Sequence, residues 1–273
     1  MDLMTDRRPS KVSTKGAWTE RYLDRFYRSR PGWIDGTTLF HSLCKRYIRK
    51  GARVCELGSG ASNSTTRFLS MFPGATLVGI DVDPRVIQNH FVSQAIVYDG
   101  QAFPFLASSF DAVVADYVHE HLPDPYTVCR EVHRVLSDGG VLIFRTPNAY
   151  HYVPAIARIT PYWFHRLVAN RLRGVPADQS MPHPTFYRFN TARTIRRMLH
   201  AAGFSIIRLA FIESNPSYGM ASRLLFLLFM GYERMVNVSP RLSWLRSNIL
   251  CVAIKPGQPN LTRTPASVDR GSW

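Results

Sequence analysis

The chain is short of acid, has no paired cysteines and contains no long apolar run. Its 19 aspartates and glutamates stand against 34 lysines and arginines, a formal net charge of +15 over 273 residues. Such a surplus concentrates anionic partners at a surface, whether lipid headgroups, phosphorylated substrates or nucleic acid, and its plainest consequence is solubility. Cys44, Cys55, Cys129 and Cys251 are scattered, with no Cys-x-x-Cys pair. That spacing argues against a zinc ribbon or a disulfide scaffold and for a reducing, cytoplasmic compartment. The longest apolar block, residues 224–230, is far shorter than the roughly 20 residues that cross a bilayer, so no transmembrane helix is expected. The opening Met1-Asp2-Leu3-Met4-Thr5-Asp6-Arg7-Arg8 lacks the apolar centre of a signal peptide and reads as a mobile tail.

What is present is an alternation of strand-like and helix-like segments, with 45% hydrophobic residues, as in an ordinary globular core. Apolar runs at 52–57, 75–80, 95–98, 110–115 and 141–145 read as strands. Helical stretches at 64–72, 85–91 and 124–136 separate them. This rhythm predicts an α/β fold, a doubly wound and mostly parallel sheet with right-handed crossovers. Residues 1–16 and 256–273 are expected to be disordered tails around one domain over 17–255. Within it, 17–50 forms helices that pack on the sheet, 51–147 the ligand-binding core, 148–185 a cap rich in His, Tyr, Trp, Arg and Pro, and 186–255 the C-terminal part of the core. A helix over 190–202 and strands at 204–211 and 248–255 complete the sheet. Basic residues crowd the N-terminal region and the stretch after residue 158, whereas residues 80–122 are acidic by contrast.

The segment Val54-Cys55-Glu56-Leu57-Gly58-Ser59-Gly60-Ala61-Ser62 is a strand that runs into a ligand-binding turn. Two glycines spaced by one residue let the backbone approach a ligand where a Cβ would collide. In an open parallel sheet the ligand lies beyond the carboxyl ends of the strands. Glu56, Asp81, Asp99 and Asp116 all fall there, each at a different strand end. Asp81, about 20 residues past the turn, suits ribose hydroxyls. Asp99 suits an adenine amine, with Val82 and Phe103 as apolar faces for the ring. Glu56 and Asp116 suit a cationic centre. A dinucleotide turn needs a third glycine, and Gly58-Ser59-Gly60-Ala61-Ser62-Asn63 has none. A positively charged adenosyl ligand therefore fits better than NAD.

With Val78-Gly79-Ile80-Asp81-Val82-Asp83-Pro84, Asp99-Gly100, Ser109-Phe110-Asp111-Ala112-Val113-Val114, His119-Glu120-His121-Leu122-Pro123-Asp124-Pro125, Glu131-Val132-His133-Arg134-Val135-Leu136 and Gly139-Gly140-Val141-Leu142, the chain resembles class I methyltransferases that use S-adenosylmethionine, in the small-molecule branch called type 11. The resemblance is close over about residues 50–147 and continues weakly at Ala201-Ala202-Gly203-Phe204. It implies a seven-stranded Rossmann-like sheet with its last strand antiparallel. It also implies that Glu56, Gly58 and Gly60 hold the methionine part, Asp81 the ribose and Asp99 the adenine, with Ser59, Val82, Gly100 and Asp116 as further cofactor-binding candidates. Ser62 stands where many members carry a further glycine, and Ser62 and Asn63 are suited to capping the following helix.

For the acceptor, a base near the sulfonium would assist transfer, and histidine titrates in the useful range. His121 and His151 are the candidates. His121 reads equally as a hydrogen bond at a helix start, and His151 as an ordinary cap contact. No ligand cluster accompanies His119-x-His121, so no metal is expected. Nucleic acid is the rival acceptor on charge alone. Against it, the sequence after the fourth strand is Ala115-Asp116-Tyr117-Val118 rather than the Asn/Asp-Pro-Pro-aromatic turn of base methylation, and Cys129 lies in a helix beyond the site. The stretch 220–236 is apolar almost all round and reads as a buried packing helix, with an interfacial anchor on anionic lipid as the alternative. The expected activity is O-methylation of a small-molecule, glycan or lipid-linked acceptor by a cytoplasmic enzyme, with peripheral contact at the inner face of the membrane as an extension. The rival readings are a non-catalytic cofactor-binding or membrane-scaffolding module, an RNA methyltransferase and an NAD-dependent dehydrogenase.

Overall fold

Strand β1 (Arg53–Leu57) is buried from Val54 onward because it lies inside a sheet covered on both faces, which is why its sequence is apolar without alternation. The computed structural model describes residues 17–154, 184–216, 219–220 and 222–257. Around β1 stand β2 (Thr76–Asp81), β3 (Gln94–Val97), β4 (Phe110–Asp116), β5 (Leu136–Pro147), β6 (Ser205–Ile212) and β7 (Asn248–Ile254). They form one seven-stranded sheet in the order β3-β2-β1-β4-β5-β7-β6. The pairs among β1 to β5 are parallel, and β7 runs antiparallel to both β5 and β6. The chain winds outward from β1 to β3 and then returns to β4 on the other side of β1. A crevice opens at that switch, beyond the carboxyl ends of β1 and β4.

Successive residues of each central strand feed opposite layers, as the two-residue period of a strand requires. Val113, Leu142 and Phe144 pack in one core with α4 (Pro125–Val135) and α5 (Ala192–Ala201) through Val132 and Leu199. Ala112, Val114 and Ile143 pack in the other with α2 (Gly36–Tyr47) and α3 (Ser64–Ser70) through Phe40 and Leu69. Asp35, Asn63, Asp124 and Thr191 cap these four helices with side-chain oxygens, satisfying amides that have no partner within the helix.

The last strand, β7, runs antiparallel as the resemblance implies, inserted between β5 and β6. Two expectations change. Residues 85–91 do not form an α-helix: Pro84–Gln88 make a short 3₁₀ turn capped by Asp83, because β3 begins at Gln94 and leaves no length for further turns. The apolar stretch near 220–236 becomes α6 (Arg223–Val238), and it is not buried all round: Phe226, Glu233 and Val236 point inward while several leucines are exposed. It packs on α1 (Ala17–Leu23) and the π-helical turn Asp24–Arg28 that continues it. Most of the expected cap over 148–185, and both expected tails apart from residues 256–257, lie outside the described residues.

Candidate functional site

The turn after β1 is held from three sides. Gly58 and Gly60 have φ of +73° and +54°, a region that L side chains enter only with strain. The amides of Gly58 and Ser59 donate to the carbonyl of Ile80 at 2.8 and 3.3 Å, clamping the turn to the end of β2. Asp81, the last residue of β2, accepts from the Gly60 amide through Oδ2 (2.8 Å) and from the Asp83 amide through Oδ1 (2.9 Å). From below, the buried Asn89 side chain donates to Ser59 and to the Gly60 carbonyl. Nothing in the sequence singles out Asn89. Only the return of the chain from the 3₁₀ turn brings it under the glycines.

Glu56 lies behind this turn, not on its ligand side. Its carboxylate is buried and accepts from Ser59 Oγ (2.9 Å), Asn63 Nδ2 (3.3 Å) and Thr66 Oγ1 (3.0 Å), joining β1, the turn and α3. Burial pushes this carboxyl up to about 7, against those three hydrogen bonds. Below the ordinary value of 4.5 both folded and unfolded chains carry the proton. Between there and about 7 only the folded chain retains it, so stability falls as pH rises through that window. Glu56→Gln is therefore expected to be more stable than the parent at about pH 8 in urea unfolding, the gain vanishing by about pH 4.5. A gain equal at both pH values would show that the carboxyl's ionisation is not its source.

A cleft of about 720 Å³ opens above the turn, a size usual for small-molecule sites. Gly58 to Gly60 line it with Asp81 and Val82, followed by Asp99 and Gly100 and by Tyr117, Val118, His121 and Leu122, with Pro184; Val118 stands directly against Gly58. Seven of the predicted binding residues, Gly58, Ser59, Gly60, Asp81, Val82, Asp99 and Gly100, thus come together in one cavity. Tyr98 lines it as well and takes the place expected for Phe103, which is buried in the core and meets the Tyr98 ring edge-on at 5.4 Å.

Besides Glu56, two predicted residues, Asp116 and His151, do not reach the cleft in the expected way. Asp116 is engaged by Arg145, which donates to it from Nε (2.7 Å) and Nη2 (2.8 Å), and by Thr65 Oγ1 (2.7 Å). Its charge is spent within the fold and is not presented to a cationic ligand. The pair forms because Asp116 and Arg145 are opposite one another in the β4–β5 register. Arg145 in turn lies 4.5 Å over the Tyr117 ring. Tyr117 has φ of +58° and donates its hydroxyl to Asn248 at 3.0 Å, so a non-glycine residue is held in the left-handed region at the rim of the cavity. His151 is the second correction. Asn148 donates to the carbonyls of Trp244 and Arg246 and turns the chain away from the crevice. His151 is consequently buried 3.5 Å from the Glu213 carboxylate and against the Tyr152 ring, and burial pushes it down to about 4.

His121 is in the wall of the cleft. Its Nδ1 is 2.9 Å from the Pro184 carbonyl, which accepts only from a protonated nitrogen, so Nδ1 carries the hydrogen and Nε2, 4.0 Å from the Glu120 carboxylate, is the acceptor nitrogen. His119 points elsewhere, stacked on Phe189 and tilted against Phe144, with burial pushing it down to about 3. The His-x-His pair therefore does not converge on one point.

A family model described as a methyltransferase domain matches residues 26–209. The chain belongs to this methyltransferase family. It is a class I S-adenosylmethionine-dependent methyltransferase, and the curated relatives it matches are named as methyltransferases. The ubiquinone biosynthesis O-methyltransferase of Xanthomonas campestris pv. campestris is 27% identical over 180 residues, which cover 59% of this chain and 74% of that protein. The trans-aconitate 2-methyltransferase of Azoarcus sp. is 31% identical over 144 residues, 50% of this chain and 54% of the other. Among solved structures, a SAM-dependent methyltransferase of Methanosarcina mazei superposes with a TM-score of 0.52 at 14% identity, covering 79% of this chain and 98% of its own. The methyltransferase turn seen here suits the cofactor: a Cβ added at Gly60 would meet nothing within 4 Å, so the backbone stands open to a ligand there. Among the described residues no group of three or more metal-ligating side chains converges, and no helix is long and apolar enough to cross a membrane.

Proposed function

We propose that this methyltransferase O-methylates a hydroxyl of a small, partly apolar acceptor, free or carried on a glycan or lipid, with His121 as the general base. The observation that carries the reading is the His121 wall of the cleft, where Nδ1 is engaged by Pro184 and Nε2 is the basic nitrogen. S-adenosylmethionine supplies an electrophilic methyl group when bound. Asp81 would take the ribose hydroxyls, Asp99 with Val82 and Tyr98 the adenine, and the backbone of Gly58 to Gly60 the methionine part. His121 then accepts the acceptor's hydroxyl proton at Nε2, and Val118, Leu122 and Pro123 keep water from competing. The names of two relatives, an O-methyltransferase of ubiquinone biosynthesis and a trans-aconitate methyltransferase, support a small organic acceptor over a polymer.

Labelled methyl donor incubated with the enzyme and fractionated extracts tests this. An alkali-stable labelled ether on a small molecule is expected. An alkali-labile ester or labelled RNA would overturn the hydroxyl reading, and cofactor binding without any product would indicate a non-catalytic module. On the acceptor so found, His121→Asn keeps a donor toward Pro184 and removes the base. It is expected to lower kcat about a hundredfold, within the usual range for general-base loss, with cofactor affinity unchanged. Full activity in that variant would leave the acceptor activated by position alone.

A further inference from the structure

Helix α6 is fastened to the protein by a polar and aromatic side and turns an apolar side outward. Phe226 is fully buried against the rings of Trp18, Tyr22, Phe26 and Tyr27. Glu233, 3% exposed, accepts from Tyr27 Oη at 2.9 Å and from Asn237 Nδ2 at 2.7 Å. On the opposite side, Leu224 (68% exposed), Leu227, Leu228 (60%), Met235 and Val238 (83%) recur at three- and four-residue steps through Gly231. A stripe of this kind is what a surface helix normally hides. Single exposed leucines need no explanation, but a contiguous row does.

The surroundings of the stripe say what covers it. Arg223 opens the helix and Arg241 follows it, both exposed. Arg21, Arg25 and Arg30 are exposed on or beside α1 and its π-helical continuation, the elements on which α6 packs. The acids of that segment, Glu20 and Asp24, are already bonded to Arg28 at 2.8 and 2.7 Å. Trp244, just past the end of α6, is 48% exposed, and tryptophan is enriched where a protein meets the headgroup layer. A second copy of the chain seated on this face would bring arginine against arginine, whereas an anionic lipid surface satisfies both the stripe and the charges. The helix has 16 residues, about 24 Å at 1.5 Å per residue, which is less than the hydrocarbon thickness and fits a helix lying in the interface, not across it.

We propose that α6 is an interfacial docking helix that seats this methyltransferase on anionic phospholipid membranes, its Leu224–Leu228–Met235–Val238 stripe entering the headgroup boundary and the neighbouring arginines holding the phosphates. The inference does not depend on the acceptor or on His121. Sedimentation of the full chain with vesicles tests it. Binding to phosphatidylglycerol-containing vesicles is expected to be at least about tenfold stronger than to pure phosphatidylcholine, and to fall by a similar factor in high salt, as a few basic side chains near the surface require. Leu224→Glu and Leu228→Glu, at positions already exposed, are each expected to weaken binding at least about tenfold while thermal unfolding and cofactor binding stay unchanged. Leu106→Glu, in the loop between β3 and β4 and 84% exposed, serves as the control and should leave binding intact. No vesicle binding, or an equal loss with Leu106→Glu, would overturn the proposal. So would a dimer in light scattering that Leu228→Glu dissociates, which would assign the face to a second copy.

Discussion

Gly58→Ala is expected to destabilise the fold by about 2–5 kcal/mol and to remove measurable cofactor binding. Two costs combine. A left-handed φ of +73° costs an L-residue about 1–2 kcal/mol. The added Cβ would also clash with Val118 Cγ2, and relieving such overpacking costs about 1–3 kcal/mol. Val118 also lines the cleft, so the displacement falls on the cofactor's own space. Urea unfolding and calorimetric titration measure the two effects. The double variant Gly58→Ala/Val118→Ala separates them: it should recover the steric share and retain the backbone share. A single variant as stable as the parent would mean that the turn yields freely and that glycine is not required there.

Asp81→Ala is expected to weaken S-adenosylmethionine binding about a thousandfold, close to 4 kcal/mol. A carboxylate offers about four acceptor positions, and the amides of Gly60 and Asp83 use two of them. The remaining capacity lines the cleft, and hydrogen bonds to a charged group contribute about 1.5–3 kcal/mol each. Removing the side chain also frees the Gly60 amide and loosens the turn. Asp81→Asn, which keeps one carbonyl oxygen but no charge, should fall between alanine and the parent. Titration with S-adenosylhomocysteine supplies the control, because it shares the ribose and lacks the sulfonium charge. Equal losses for both ligands place Asp81 at the ribose, whereas a loss confined to the sulfonium ligand would place it at the methyl donor's charge.

Much of this molecule is legible in its amino-acid sequence. The strands β1, β2 and β4 can be read because a strand buried on both faces has nowhere to put a polar side chain. The glycine turn is legible because two positive φ angles in three residues leave few other residue types. Asp81 follows from its distance along the chain to that turn. The resemblance to class I methyltransferases rests on the same residues, and the methyltransferase-domain match covers them. Less legible are the partners of the charged residues. By its place at a strand end Asp116 is an acid offered to a ligand, and only the pairing of β4 with β5 shows Arg145 beside it, 29 residues away in sequence. His121 and His151 are both candidates for the base on sequence grounds. The path of the chain after Asn148 separates them, taking one histidine into the cavity wall and burying the other beside Glu213. For α6, an almost uniformly apolar sequence holds no information on which side faces inward. That side is chosen by Tyr27 and its aromatic neighbours, some 200 positions earlier in the chain.

The division has a physical basis. Periodicity, turn chemistry and the position of an acid at a strand end are properties of a few consecutive residues, so the chain by itself determined the alternating α/β order and the cofactor turn, and its motifs carried the resemblance to class I methyltransferases. Which carboxylate is neutralised, which imidazole meets the cavity and which face of a helix remains exposed depend on contacts between segments far apart in the chain. Those were decided only when the sheet was assembled, because the free energy of burying or pairing a charge depends on the neighbours that the assembled fold brings to it.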